Sequence, residues 1–239
     1  MSRVLAAVVF ATTLVSANAG LIDFNSDNGG FVVSNSLSTG TPWTYTTGAV
    51  CAGGSGGCWT VPNFTVTETS TVSDQRLISP TFVATGPTLL SFDHTFNLES
   101  GFDGGVVEIS VNGGAFVDVT TLGAFSGQVY NGTIDVNFLS PIAGRAAFTG
   151  SNPPNSLGTI GTYTASSITL GLINNNTFQL QWRMATDSNT EAPPPNGWRL
   201  DNVNVNASSV GVSAVPEPGT SGMALLGLTG LLYWFRRKK

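Results

Sequence analysis

The sequence predicts an all-β ectodomain, a jelly-roll-like β-sandwich of two antiparallel sheets, between an N-terminal signal-peptide helix and a C-terminal transmembrane helix. Three observations carry this reading. Short segments alternate apolar and polar residues with period two, and they are rich in β-branched and aromatic side chains. Gly, Asn, Ser and Pro punctuate the stretches between them, with 29 glycines and 12 prolines in 239 residues. No stretch between the two ends sustains a helical period, and no internal repeat is evident. Many short strands with glycine-rich turns need a second sheet to bury their apolar faces.

The chain opens with Arg3, an apolar run from Val4 to Val15, and Ala17-Asn18-Ala19. A basic tip, a short greasy core and an A-x-A site define a secretory leader, expected to be removed by signal peptidase after Ala19. The run is too short for a membrane anchor. The expected division is therefore a signal peptide over 1–19, a β-sandwich over 20–213 and a C-terminal sorting segment over 214–239.

Between the two ends the charge is lopsided, with thirteen acids against Arg76, Arg145, Arg183 and Arg199 and no lysine. Such a surface repels nucleic acid, whose binding depends on neutralising phosphates, so no nucleic-acid partner is expected. Cys51 and Cys58 are an even pair in an exported domain, and a disulfide closing the Ala52–Gly57 loop is expected. Two cysteines and one distant histidine cannot build a four-ligand zinc site.

The strands follow in order. Thr88 to Phe96 alternates, as do Val106 to Val111, Thr177 to Arg183 and Trp198 to Val205. Ser166 to Leu172 is a further strand. Asn112-Gly113-Gly114 reads as a hairpin turn. Leu98-Glu99-Ser100-Gly101-Phe102-Asp103-Gly104-Gly105 precedes one of these strands, and Gly197-Trp198-Arg199-Leu200-Asp201-Asn202-Val203 opens the last. From Phe92 to Val205 this order resembles the MAM-like jelly roll of bacterial secreted proteins, including the C-terminal region of immune inhibitor A metalloproteases. The resemblance implies a non-catalytic sandwich. It does not reach the N-terminal quarter, and fold alone does not license function.

Catalytic motifs are weak, and no catalytic residue is predicted. Gly53-Gly54-Ser55-Gly56-Gly57 matches G-x-S-x-G literally, but that motif needs a strand-to-helix turn with a downstream histidine. Here the match lies in a Gly-rich loop between two cysteines, and the single histidine, His94, has no evident nucleophile partner and reads as a satisfied strand residue. The zinc-protease motif is absent.

Calcium is the sharper chemical expectation, because hard cations take several carboxylate and carbonyl oxygens from loops. Glu99, Asp103, Asp187 and Asp201 are the candidate ligands; the bland alternative makes Asp103 part of a turn and pairs Asp201 with a neighbouring arginine. Asp23 to Gly29 begins like an EF-hand loop but fails, with its glycine one place late and Ser34 where a glutamate belongs. Trp43 and Trp59 lie in Gly/Thr-rich loops and are expected to offer exposed faces for stacking on sugars, whereas Trp182 and Trp198 belong in the core.

The tail carries the most specific signal. Val215-Pro216-Glu217-Pro218-Gly219-Thr220 breaks any helix. An uncharged run from Ser221 to Phe235 follows, and the chain stops at Arg236-Arg237-Lys238-Lys239. As a helix the run covers roughly 22 Å of a ~30 Å hydrocarbon core, and flanking residues with snorkelling cations complete the crossing. Tyr233 and Trp234 fall at an interfacial belt, and the cations at the cytoplasmic side.

These three parts resemble the PEP-CTERM sorting signal of Gram-negative bacteria. The resemblance implies that an exosortase-type membrane enzyme recognises Pro216-Glu217-Pro218. It implies a transient inner-membrane anchor before processing, then the cell surface or extracellular matrix. It also links the chain with exopolysaccharide. The expected function is that of a non-enzymatic surface protein for adhesion or association with extracellular polysaccharide. A secreted glycan-active hydrolase and a spacer without ligand are the alternatives.

Overall fold

The computed structural model describes residues 16–37, 40–62, 72–152, 162–188 and 197–210. Of the signal-peptide helix expected over 1–19, residues 16–19 are described and lie in a strand instead; the rest of it lies outside these residues, as do the expected transmembrane helix, Pro216, Glu217, Pro218 and the four terminal cations. No helix among the described residues is long and apolar enough to cross a membrane.

Fifteen strands run in chain order. They are β1 (Ser16–Ile22), β2 (Val32–Asn35), β3 (Thr44–Thr47), β4 (Gly57–Val61), β5 (Ser73–Ile78), β6 (Phe82–Val83), β7 (Thr88–Asn97) and β8 (Gly104–Val111). After them come β9 (Val117–Asp118), β10 (Phe125–Gly127), β11 (Gly132–Thr133), β12 (Ala146–Ala147), β13 (Thr164–Leu170), β14 (Thr177–Thr186) and β15 (Gly197–Val210). All pairings are antiparallel.

One sheet runs β10-β13-β7-β15, and the far edge of β15 pairs with β4, itself paired to β3, and with β1. The other runs β9-β8-β14-β5-β2. The short β6 pairs with both β14 and β15 and joins the two sheets. Strand β1 runs across the expected Ala19–Gly20 cleavage point, with Ser16 opposite Val210 and Ile22 opposite Val203.

The alternation seen in the sequence sets the inner faces. Leu90, Phe92, His94 and Phe96 of β7 face Leu180, Trp182 and Met184 of β14, and all are buried. Phe92 and Trp182 meet edge to face, their centroids 5.6 Å apart. Strand β15 needs a correction to simple alternation. Trp198 and Leu200 point inward, yet so do Val203 and Val205, which lie out of phase with them. A register shift between Asp201 and Asn204 resolves this, with Asn202 at φ 49° in the left-handed region. The predicted Asn112-Gly113 turn is present, with φ of 52° and 73°, and joins β8 to β9.

The segment between β9 and β12 lies over the outer face of β8 and β14. Val106 and Ala185 on that face pack with Ile134, Ile142 and Ala147 into a second, smaller core. The two glycines after Asp103 permit these close layers. A Cβ on Gly104 would stand 2.7 Å from Ile134, and one on Gly105 would stand 2.4 Å from the Trp198 ring. The Asp-Gly-Gly and Gly-Trp segments of the sequence thus touch each other.

Candidate functional site

The outer face of the β3-β4-β15 sheet carries a cleft of about 330 Å³. Register places Thr44 of β3 opposite Thr60 of β4, and Thr60 opposite Arg199 of β15. Two hydroxyls and a guanidinium therefore form one cross-strand row. Thr41, Thr46, Val50 and Pro62 complete the rim. The Arg199 Nη1 donates to the Val50 carbonyl at 3.2 Å, and the Tyr163 hydroxyl donates to the same oxygen at 2.9 Å. Burial lowers the Arg199 pKa, with Tyr163 acting against it.

Val50 is held by the disulfide next to it. Cys51 and Cys58 are bonded, as expected from the sequence. The loop they close is fastened to β15, because the Ala52 N–H donates to Asp201 Oδ2 at 2.9 Å. Ser55 of the G-x-S-x-G match sits exposed within it, between glycines with positive φ.

The other three arginines are occupied on the opposite sheet. Arg183 binds Asp74 through Nε at 2.7 Å and Nη2 at 2.8 Å, and Arg76 binds the same carboxylate at 2.6 Å. Arg145 bridges Glu108 at 2.5 Å and Asp118 at 2.9 Å. Glu108 also accepts from Gln181 and from Arg183. Burial raises the Asp74 pKa, but its bonds to Arg183 and Arg76 outweigh that and hold it below the usual carboxylate value. Burial and the nearby Asp118 push the Tyr130 hydroxyl well up.

His94 does meet a serine, which the sequence did not reveal. Its Nε2 lies 2.9 Å from Ser166 Oγ, and Ser166 Oγ lies 2.6 Å from the Gln128 carbonyl. A carbonyl only accepts, so the serine proton goes to Gln128 and Nε2–H is donated to the serine. Trp198 Nε1–H is donor-only and supplies Nδ1 at 3.1 Å. This polarity is the reverse of a nucleophile–base pair, in which the ring accepts the hydroxyl proton. The group is a buried, satisfied polar network.

Of the four expected calcium ligands, three converge. Oxygens of Glu99, Asp103 and Asp187 lie within 4.8 Å of one another, at the β7–β8 turn and the end of β14. Ligand oxygens about 2.3–2.6 Å from one ion can be no more than roughly 5 Å apart, so the spacing fits. Asp103 and Asp187 are buried, and the Asp187 N–H donates to Asp103 Oδ1 at 2.9 Å.

Asp201 is not with them. Its outward position on β15 aims it at the disulfide loop, where it accepts from Ala52 and Asn202. It pairs with neither Arg183 nor Arg199; burial, with Asp93 and Asp23 adding, raises its pKa against those two backbone bonds.

Trp43 and Trp59 are also corrected. They are 2% and 4% exposed, with indole N–H groups bonded to the carbonyls of Gln75 and Asn28. Trp59 lies on β4 opposite the inward Leu200, and Trp43 packs on Trp198 at 5.5 Å. Neither face is open to a sugar. In the Asp23–Gly29 loop, Asp23 and Asp27 accept from backbone N–H groups two residues on, as turn formers.

Fold and signals together define an exported protein with an all-β sandwich. Its C-terminal residues 214–239 match the PEP-CTERM protein-sorting motif, which marks it as a substrate for sorting through a C-terminal membrane segment. No curated protein sequence matches the chain. Among solved structures it is similar to the K1 cleaved adhesin domain of Lys-gingipain from Porphyromonas gingivalis W83. That match has 14% identity and a TM-score of 0.44, and covers 80% of this chain and 99% of the other. It is also similar to the module TmCBM61, solved with β-1,4-galactotriose, at 10% identity and a TM-score of 0.43, covering 79% and 98%. A third is TmCBM27, a mannan-recognising module, at 13% identity and a TM-score of 0.39, covering 81% and 98%.

Proposed function

We propose that the protein is a non-catalytic surface or matrix component that associates with extracellular polysaccharide through the Thr44–Thr60–Arg199 cleft. One observation carries the reading. The cleft presents hydroxyls and a cation, and no carboxylate lines it among the described residues. Glycosidic cleavage calls for two carboxyl groups flanking the scissile bond. The smaller clefts, at Phe125 and Tyr130 and at Ser110 and Gln179, carry none either. Asp74 and Glu108 are bound by arginine and are poorly suited to proton transfer. The sorting motif supports the same reading, since it marks the chain for export. Exosortase is the expected processing partner at Pro216-Glu217-Pro218, after signal peptidase acts at the leader.

Calcium belongs to the proposal as a structural ion at Glu99, Asp103 and Asp187. It would tie the β7–β8 turn to the end of β14.

The test is a glycan array probed with the full chain in detergent. Binding to at least one polysaccharide class, lost in Thr60→Val together with Arg199→Gln, is the expected result. Release of reducing ends from any bound glycan would instead support the hydrolase, and an array with no binding would leave the spacer.

A further inference from the structure

Arg199 differs from the other arginines of the sandwich. Arg76, Arg145 and Arg183 each hold at least one carboxylate, whereas Arg199 forms no ion pair among the described residues. Its one bond is to the Val50 carbonyl, which uses one of five guanidinium donors. The group is half-buried at the cleft floor between Thr60 and Val50, and removing a cation from water without a counter-charge is unfavourable. A domain with thirteen acids and four arginines has many carboxylates to offer, yet none among the described residues pairs with this one.

We propose that the cleft takes a carboxylate-bearing saccharide, a uronic-acid residue of an acidic polysaccharide, whose carboxylate is received by Arg199. This rests on the polysaccharide reading above and narrows it to one chemical class. The planar guanidinium fork matches a planar carboxylate through two parallel N–H···O bonds. Thr44 and Thr60, in the same cross-strand row, donate their hydroxyl protons to the Pro42 and Thr44 carbonyls at 3.2 and 3.4 Å, and their oxygens are left to accept from ring hydroxyls. The Val50 anchor fixes the fork before a ligand arrives, so less freedom is lost on binding. Asp201 and Asp93 act on Tyr163 beside Arg199, and their carboxylates are occupied by the N–H groups of Ala52 and Asn202; the remaining negative charge of the domain opposes an acidic polymer at longer range. At physiological salt the Debye length is about 8 Å, so distant carboxylates are screened while the contact at Arg199 is not.

The test is calorimetric titration of the full chain in detergent with oligogalacturonate, with the same oligomer after reduction of its carboxyls, and with a sulfated neutral oligomer. The expected result is binding of oligogalacturonate that weakens about tenfold or more on carboxyl reduction, and by as much in Arg199→Gln. Thr60→Val, which leaves the charge, should lose less, and its melting temperature controls for folding. Equal binding of the reduced oligomer, or unaltered acid preference in Arg199→Gln, overturns the inference while polysaccharide association stands. Preference for the sulfated oligomer overturns the assignment to carboxylate. Failure of every saccharide, neutral ones included, overturns the association itself.

Discussion

Trp198 Nε1 donates to His94 Nδ1 across 3.1 Å, and neither ring is exposed to solvent. The bond fixes a neutral ring protonated at Nε2, and burial holds the His94 pKa down to about 3. An unfolded histidine titrates near 6.5. Between those values the unfolded chain binds a proton that the native one does not. Stability therefore falls as pH drops through this window, by up to about 1.4 kcal/mol per pH unit, and gains nothing from His94 above it. Asp74, with its lowered pKa, adds a loss as pH falls below 3.8, while Asp201, with its raised pKa, acts in the opposite sense. Urea unfolding near neutrality and at about pH 4.5 should show a smaller difference in His94→Gln than in the native chain. Equal differences would remove the buried neutral histidine from the account.

Arg183 joins two carboxylates that lie on different strands. Arg183→Met leaves Asp74 with Arg76 and Glu108 with Arg145 and the Gln181 amide. Because both acids are buried but each keeps one arginine, the expected cost is about 1.5–3 kcal/mol, above the ~0–1 of a surface pair. Denaturant midpoints at low and high salt check this, and a loss of under about 1 kcal/mol would speak against a desolvated network.

Gly105 is required by space. Its Cβ would meet the Trp198 ring at 2.4 Å, so Gly105→Ala must shift the indole that serves His94 and Phe148. A destabilisation of roughly 1–3 kcal/mol is expected, visible as a lower melting temperature and altered near-ultraviolet dichroism. An alanine variant as stable as the native chain would contradict the close packing.

The disulfide closes a short loop, and loop entropy assigns it about 2–3 kcal/mol. Reduction should lower the melting temperature accordingly. It should also weaken saccharide binding, because Val50 next to Cys51 anchors Arg199. A reduced protein that melts lower but binds unchanged would separate the staple from the cleft.

Calcium should raise the melting temperature of the native chain, by an amount matching about 2.7 kcal/mol at a hundredfold excess over Kd. Glu99→Gln and Asp103→Asn should abolish the rise, whereas Asp201→Asn should keep it. Absence of both heat and thermal shift in the native chain would leave the three acids as structure only.

The strands that were legible in the sequence are those with one apolar and one polar face. β7, β8, β14 and β15 alternate because each lines the main core. The N-terminal strands were not legible for the converse reason. All four residues of β2 are exposed, and β5 buries Asp74 and Gln75 on opposite faces, so neither shows a hydrophobic period. At the site, Glu99, Asp103 and Asp187 were found together because turn acids beside strand ends converge in a sandwich. Asp201 went astray because a strand's outward face, not residue type, decides its company. Trp43 and Trp59 were misread because their flanking Gly and Thr suggested loops, while β4 pairs with β15 and turns Trp59 inward. The Arg199 cleft had one sequence signal, the scarcity of arginine. Which of the four stays without a carboxylate is decided only by the register of β15 against β4.

Strand β15 ends at Val210, six residues before Pro216 in the sequence. The strand that carries Arg199 is thus the last described element before the sorting motif in the sequence. Any pull exerted on the chain through its tail while a polymer is held in the cleft runs along β15 itself. The ladders to β7 and β1 lie crosswise to that line, so the load falls on many hydrogen bonds at once instead of opening them one by one. On the proposed function, the order of the strands makes β15 a tension member between a bound polymer and the tail.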